Sequence, residues 1–158
     1  MNDTASSPDI PAIYTYREAA HSNVGDEINL HLIPKLFNMP LRIAKSISDI
    51  DILAIGSILG TFTYEYLDGI QPGLYENVAR RMKGKRVTVW GSGFIADMPV
   101  SKPFVFDADF LAVRGTLTRR KITEMYGGGG SKTCLLATPA CLRRDILARL
   151  CLKSTNSA

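Results

Sequence analysis

Arg114, Asp26 and the run Gly91-Ser92-Gly93-Phe94-Ile95-Ala96 are the residues of this 158-residue chain whose types and spacing could do chemistry. The glycine run fits G-x-G-x-x-A directly after an apolar segment, the arrangement of a dinucleotide site. That fingerprint must open a helix, however, and Pro99 and Pro103 follow too soon to leave room for one. The glycines therefore read either as a tight turn or as a place where the backbone approaches some other ligand. Arg114 closes another apolar run, just before a helical pattern. A guanidinium there could grip a carboxylate or phosphate through two parallel hydrogen bonds, aided by helix amides; the alternative is an arginine in a structural ion pair. Asp26 could act as an acid or accept a hydrogen bond from a sugar hydroxyl, or it could simply open a helix. His21 and His31 have no Ser or Cys partner at triad spacing. The three cysteines, Cys134, Cys141 and Cys151, form no C-x-x-C pair and no Cys/His cluster. No metal is expected from that pattern, and reduced, buried thiols are.

The elements that must position these residues alternate. Residues 10–16 and 51–56 are short runs of strand formers, as are 86–90 and 109–113; Gly56, Gly91 and Gly115 follow the last three at once or nearly so. Between them, apolar residues recur at helical spacing from Asp26 to Phe37. Residues 71–83 form a second helix with Pro72 near its start, and 117–125 a third, with Thr116 at its N-cap. Residues 133–137 read as a last strand, and Pro139 opens a helix to about residue 152. Strands alternating with helices predict an open α/β sheet, Rossmann-like and mostly parallel, with flanking helices. Ligands of such sheets bind at the carboxyl ends of the strands. The loops after residues 56, 91 and 114 are accordingly expected on one edge, with Trp90 buried and residues 98–103 irregular.

Length and composition fit one domain of this kind. The chain is 46% hydrophobic and 22% charged, close to the globular norm. No apolar run approaches the roughly 18–20 residues of a membrane span, and residues 1–9 lack the basic and apolar regions of a secretory signal. The net charge of +4 lies wholly in residues 131–158; residues 1–130 hold 14 basic and 14 acidic side chains. A diffuse nucleic-acid face is therefore not expected. The expected organisation is a flexible leader over residues 1–9, the α/β domain over 10–126, and a Gly-rich loop with a divergent basic segment over 127–158.

Several pieces, in order, resemble the polysaccharide pyruvyl transferase family. They are Asn23-Val24-Gly25-Asp26-Glu27-Ile28-Asn29 with Leu32-Ile33-Pro34-Lys35-Leu36-Phe37, then Leu53-Ala54-Ile55-Gly56-Ser57-Ile58-Leu59, Val89-Trp90-Gly91-Ser92-Gly93-Phe94, and Ala112-Val113-Arg114-Gly115-Thr116-Leu117-Thr118-Arg119. The resemblance spans about residues 10–126 and fades beyond. It implies the N-terminal half of a GT-B-type enzyme whose two Rossmann-like domains face a cleft. It also implies transfer of a pyruvyl group from phosphoenolpyruvate to a sugar of a cell-surface or exopolysaccharide, with no cofactor beyond that donor. On this footing Arg114 and Asp26 are the catalytic candidates, and Asn23, Gly25, Gly56, Ser57, Gly91, Ser92 and Gly93 would bind substrate.

The expected partners are phosphoenolpyruvate and a sugar or glycan acceptor, with no nucleic acid and no integral membrane span. A cytoplasmic location, peripheral at the inner face of the membrane, goes with that chemistry. The missing second half implies weak donor binding, little turnover by this chain alone, and self-association through the surface it would have covered. The alternative, from another class, is a non-catalytic or vestigial sugar- or anion-binding domain of the same fold.

Overall fold

The apolar runs become the strands of one parallel sheet. The computed structural model describes residues 10–15, 17–18, 21–22, 24–126 and 135–136. β1 (Ala12–Ile13) pairs with β4 (Arg42–Ile43) on one side and with β5 (Ile52–Leu53) on the other. β6 (Arg86–Ser92), β7 (Asp107–Val113) and β8 (Leu135–Leu136) follow in turn, giving the order β4-β1-β5-β6-β7-β8 with every pairing parallel. A separate antiparallel pair, β2 (Arg17–Glu18) with β3 (His21–Ser22), precedes the first helix. The chain builds outward from β1 in one direction to β4 and in the other through β5 to β8. Between β1 and β5 the direction of winding therefore reverses, which is where open α/β sheets place their ligand crevice.

Both faces of the sheet are covered, as a parallel sheet requires. α1 (Val24–Phe37) lies on one face, packing Ile33 and Phe37 with Ile13, Ile52, Ala54, Trp90 and Leu111. Phe37 meets Trp90 edge to face at 5.3 Å, so Trp90 is buried as expected. The other face carries the 3-10 turns Ile47–Asp49 and Leu59–Phe62, with α2 (Tyr64–Ile70), α3 (Leu74–Met82) and α4 (Thr116–Met125). Leu53, Val87, Val89, Phe110 and Val113 point into this layer and meet Phe62, Leu67, Val78, Met82 and Ile122. Phe62 is central, with Tyr14 and Phe106 edge-on at 5.2 and 5.3 Å.

Several boundaries differ from those read in the sequence. The first helix begins at Val24, two residues before Asp26. Gly115, not Thr116, stands at the N-cap of α4 and offers no side-chain cap; Thr116 is the first helical residue. The helix expected over 71–83 begins at Leu74, because Gly73 takes a left-handed φ of 78° that a helix cannot continue through. α2 and the strand β4 were not expected; each is short, and β4 is only two residues long. The strand expected over 133–137 is present as β8 at residues 135–136. The leader over 1–9, the glycine run 127–130 and the helix from Pro139 lie outside the described residues.

Candidate functional site

Three strand ends are stitched together at the carboxyl edge. Gly93 N–H donates to the Gly56 carbonyl at 2.9 Å, Arg114 N–H to the Ser92 carbonyl at 3.0 Å, and Leu59 N–H to the Gly93 carbonyl at 3.1 Å. Gly56 and Ser92 also form a parallel bridge beyond the end of β5. The loops after 56, 91 and 114 thus share one edge, as the strand-then-glycine pattern predicted.

The glycines of the G-x-G-x-x-A run have structural work there. Opposite β7 the register slips twice: Val89 pairs Phe110, Trp90 pairs Ala112, and Ser92 pairs Val113. Gly91 is the extra residue of the second slip, and its φ of 84° is one that L side chains rarely adopt. A Cβ there would also stand 3.1 Å from the Ile55 side chain. The bulge turns the Ser92 hydroxyl inward, where it is fully buried and donates to the Ala54 carbonyl. Ser92 therefore ties β6 to β5 through its hydroxyl and β6 to β7 through its carbonyl, and it is buried beneath the edge and not presented at it. A Cβ at Gly93 would lie 3.0 Å from Cβ of Arg114, 3.2 Å from its Nε and 3.1 Å from the Thr118 hydroxyl. No helix follows Gly93; residues 93–106 carry neither helix nor strand, which includes the irregular stretch expected over 98–103. The geometry is not that of a dinucleotide fingerprint.

Arg114 rests on this floor. Its stem lies against Gly93, and Nη2 donates to the Phe94 carbonyl at 3.3 Å. Among the described residues no carboxylate pairs with it, so the ion-pair alternative finds no support here. The residue is exposed, and the rest of its guanidinium N–H groups are without partners among the described residues. Immediately after it, α4 presents its first-turn amides, beginning at Thr116. Leu117 and Ile95 flank this corner, 62% and 78% exposed. Ser57 is half-buried in the loop that enters the 3-10 turn Leu59–Phe62.

Asn29 is a positioning residue that sequence reasoning missed. It is buried in α1, where its amide accepts from Ile55 N–H at 3.1 Å and donates to the Ile55 carbonyl at 2.6 Å. The side chain thereby takes the place of a neighbouring strand and fixes the first half of α1 beside the end of β5. Asp26 and Gly25 lie in the first turn of the same helix, at the same edge. Asn23 lies outside the described residues. A polar residue at a core-facing helical position was the available signal.

An open depression of about 530 Å³ lies beside β4, lined by Arg42, Lys45, Ser46, Ser48 and Asp49. Two of its charges are spent on each other: Arg42 holds Asp49 through two hydrogen bonds of 2.5 and 2.7 Å, which, with a bond from Lys45 N–H, keep the Asp49 carboxyl well below the usual carboxylate range. Among the described residues no group of three His, Cys, Asp or Glu side chains could hold a metal, and no helix is long and apolar enough to cross a membrane.

No family model matches the chain, and neither does any curated protein or solved structure. The open, parallel, Rossmann-like sheet is accordingly read from the strand order itself.

Proposed function

We propose that the carboxyl edge of the sheet binds an enol phosphate, and that the chain is the donor-binding part of a polysaccharide pyruvyl transferase. The observation that carries the reading is Arg114: an exposed guanidinium without a carboxylate partner among the described residues, at a strand end, directly before a helix N-terminus. Phosphoenolpyruvate carries a carboxylate and a phosphate, and both suit a planar guanidinium backed by free amides. Three of the four sequence blocks that resemble the family, those of Gly56, Gly93 and Arg114, are joined by backbone hydrogen bonds, and the block of α1 is tied to the end of β5 through Asn29; this supports the reading.

Ketal formation on this reading protonates the methylene carbon of the enol. A first sugar hydroxyl attacks the oxocarbenium-like centre and loses its proton to a base; the C–O bond to phosphate then breaks, and a second hydroxyl of the same sugar adds to the carbon so exposed, losing its proton as the ketal closes. Arg114 would hold the donor's negative charge. Asp26, in the first turn of α1, is the acid-base candidate on the acceptor side. A facing domain of the GT-B kind would supply further cations. The reading is tested by incubating the protein with phosphoenolpyruvate, with and without galactosyl and N-acetylmannosaminyl acceptors. Phosphate release that depends on acceptor, with a pyruvate ketal on the sugar, is the transferase outcome. Binding of phosphoenolpyruvate with no acceptor-dependent release is the non-catalytic alternative.

A further inference from the structure

Lys121 is the charged side chain of α4 with the least exposure. Its neighbour Arg120 lies mostly in solvent, whereas the Lys121 side chain is 12% exposed. Withdrawing an ammonium from water is costly unless it is paired and hydrogen-bonded. Lys121 is both, and Asp97, Met98 and Phe94, which it meets, lie on the loop after β6. Nζ donates to the Met98 carbonyl, sits 2.6 Å from an Asp97 carboxylate oxygen, and stands 6.0 Å from the centre of the Phe94 ring. Asp97 is 72% exposed and its carboxyl is held low by this ammonium, so the pair lies at the mouth of the loop, with the ammonium inside.

The same loop carries the seat of Arg114. Phe94 N–H donates to the Thr118 hydroxyl at 3.4 Å, and the Phe94 carbonyl accepts from Arg114. Residues 94–98 have no helix or strand of their own to fix that carbonyl. On the α4 side they are held by Thr118 at one end and Lys121 at the other, one turn apart on the helix.

We propose that Lys121 is a positioning residue for the anion site: by clamping Asp97 and Met98 onto α4 it fixes the Phe94 carbonyl, and with it the direction in which the Arg114 guanidinium is presented. The inference rests on the reading of Arg114 as the anion-binding group, and it adds a basic residue that need not touch the ligand.

The test uses the full chain and two variants. Lys121→Met keeps the stem and removes the charge; Asp97→Ala removes an exposed partner and leaves the helix intact. The first readout needs no ligand: the heteronuclear NOE of the Arg114 side-chain Nε–H, which reports the order of the guanidinium. It is expected to fall clearly in Lys121→Met, to fall less in Asp97→Ala, and to recover in Lys121→Arg. The second readout is phosphoenolpyruvate titration, where Lys121→Met should weaken binding about 5- to 10-fold, the loss expected when one charge-assisted contact is loosened. If Lys121→Met does not fold, Asp97→Ala carries the test alone. An Arg114 signal unchanged in the folded variants overturns the clamp. Failure of the wild-type chain to bind phosphoenolpyruvate overturns the proposed function instead, while the NOE still decides the clamp.

Discussion

Asn29→Asp changes one group of the molecule, an amide NH2 to an oxygen, and the structure sets its consequence. The Nδ2 position lies 2.6 Å from the Ile55 carbonyl at a site that is 1% exposed. At neutral pH the substitution places a carboxylate oxygen against that carbonyl, too close for a water to stand between them. The Ile55 N–H still finds an acceptor, so what is lost toward Ile55 is one hydrogen bond, and what is gained is a buried carboxylate oxygen facing a carbonyl oxygen. That combination costs about 3 kcal/mol, at the upper end for an unsatisfied buried group. In a chain of this size such a loss lowers the melting midpoint by roughly 6–12 °C. The pH dependence distinguishes the mechanism. A protonated carboxyl can donate to the carbonyl as the amide did, so folding favours the neutral form and raises the pKa of the introduced group. The penalty is therefore absent below the unfolded pKa near 4, grows as pH rises, and levels off about two units higher. Asn29→Ala removes both bonds to Ile55 and should be destabilised at every pH. Melting curves of the three proteins at pH 4, 5, 6 and 7 make the comparison. A variant as stable as wild type at pH 7, or a deficit equal at pH 4 and pH 7, refutes the assignment of Asn29 as the tie between α1 and β5.

Gly93→Ala should cost about 1–3 kcal/mol by overpacking, because the added methyl meets Cβ of Arg114 at 3.0 Å, close to the backbone where yielding is hard; denaturant unfolding checks this, and no loss of stability would contradict the contact. Asp49→Asn should destabilise at neutral pH through loss of the Arg42 pair. Since that pair depresses the folded pKa, the difference from wild type should persist to about pH 3 and close only in stronger acid. Unfolding midpoints across that range check the sign, and a difference that vanished by about pH 5 would be wrong for a depressed carboxyl.

The sheet was legible where burial is two-sided. Residues 86–90 and 109–113 are apolar runs too short for helices, and both became strands of a sheet covered on each face. β4 was not legible because two residues carry no period; it exists because β1 offers an open edge beside it. α2 was missed for a similar reason: it runs only from Tyr64 to Ile70, holds Gly69 in its last turn and is followed by the break at Gly73. The convergence of Gly56, Gly93 and Arg114 could be read from strand-then-glycine spacing. The reason for the glycines could not, since it depends on a register slip against β7 and on the stem of Arg114. Asn29 and Lys121 were invisible as chemistry because each acts on a segment distant in sequence or irregular in shape, Ile55 for one and the 94–98 loop for the other.

Titration of the wild-type chain and of Arg114→Ala with phosphoenolpyruvate, at low and at moderate salt, bears most directly on the central claim that this edge binds an anion through Arg114. One charge-assisted contact contributes on the order of 1.5–3 kcal/mol, and millimolar affinity corresponds to about 4 kcal/mol. Arg114 with the first amides of α4 should therefore bind in the millimolar range, more weakly as salt rises, and Arg114→Ala should lose roughly 10- to 150-fold, enough to abolish detectable binding. Binding that is equally strong in Arg114→Ala, or indifferent to salt, would contradict the account.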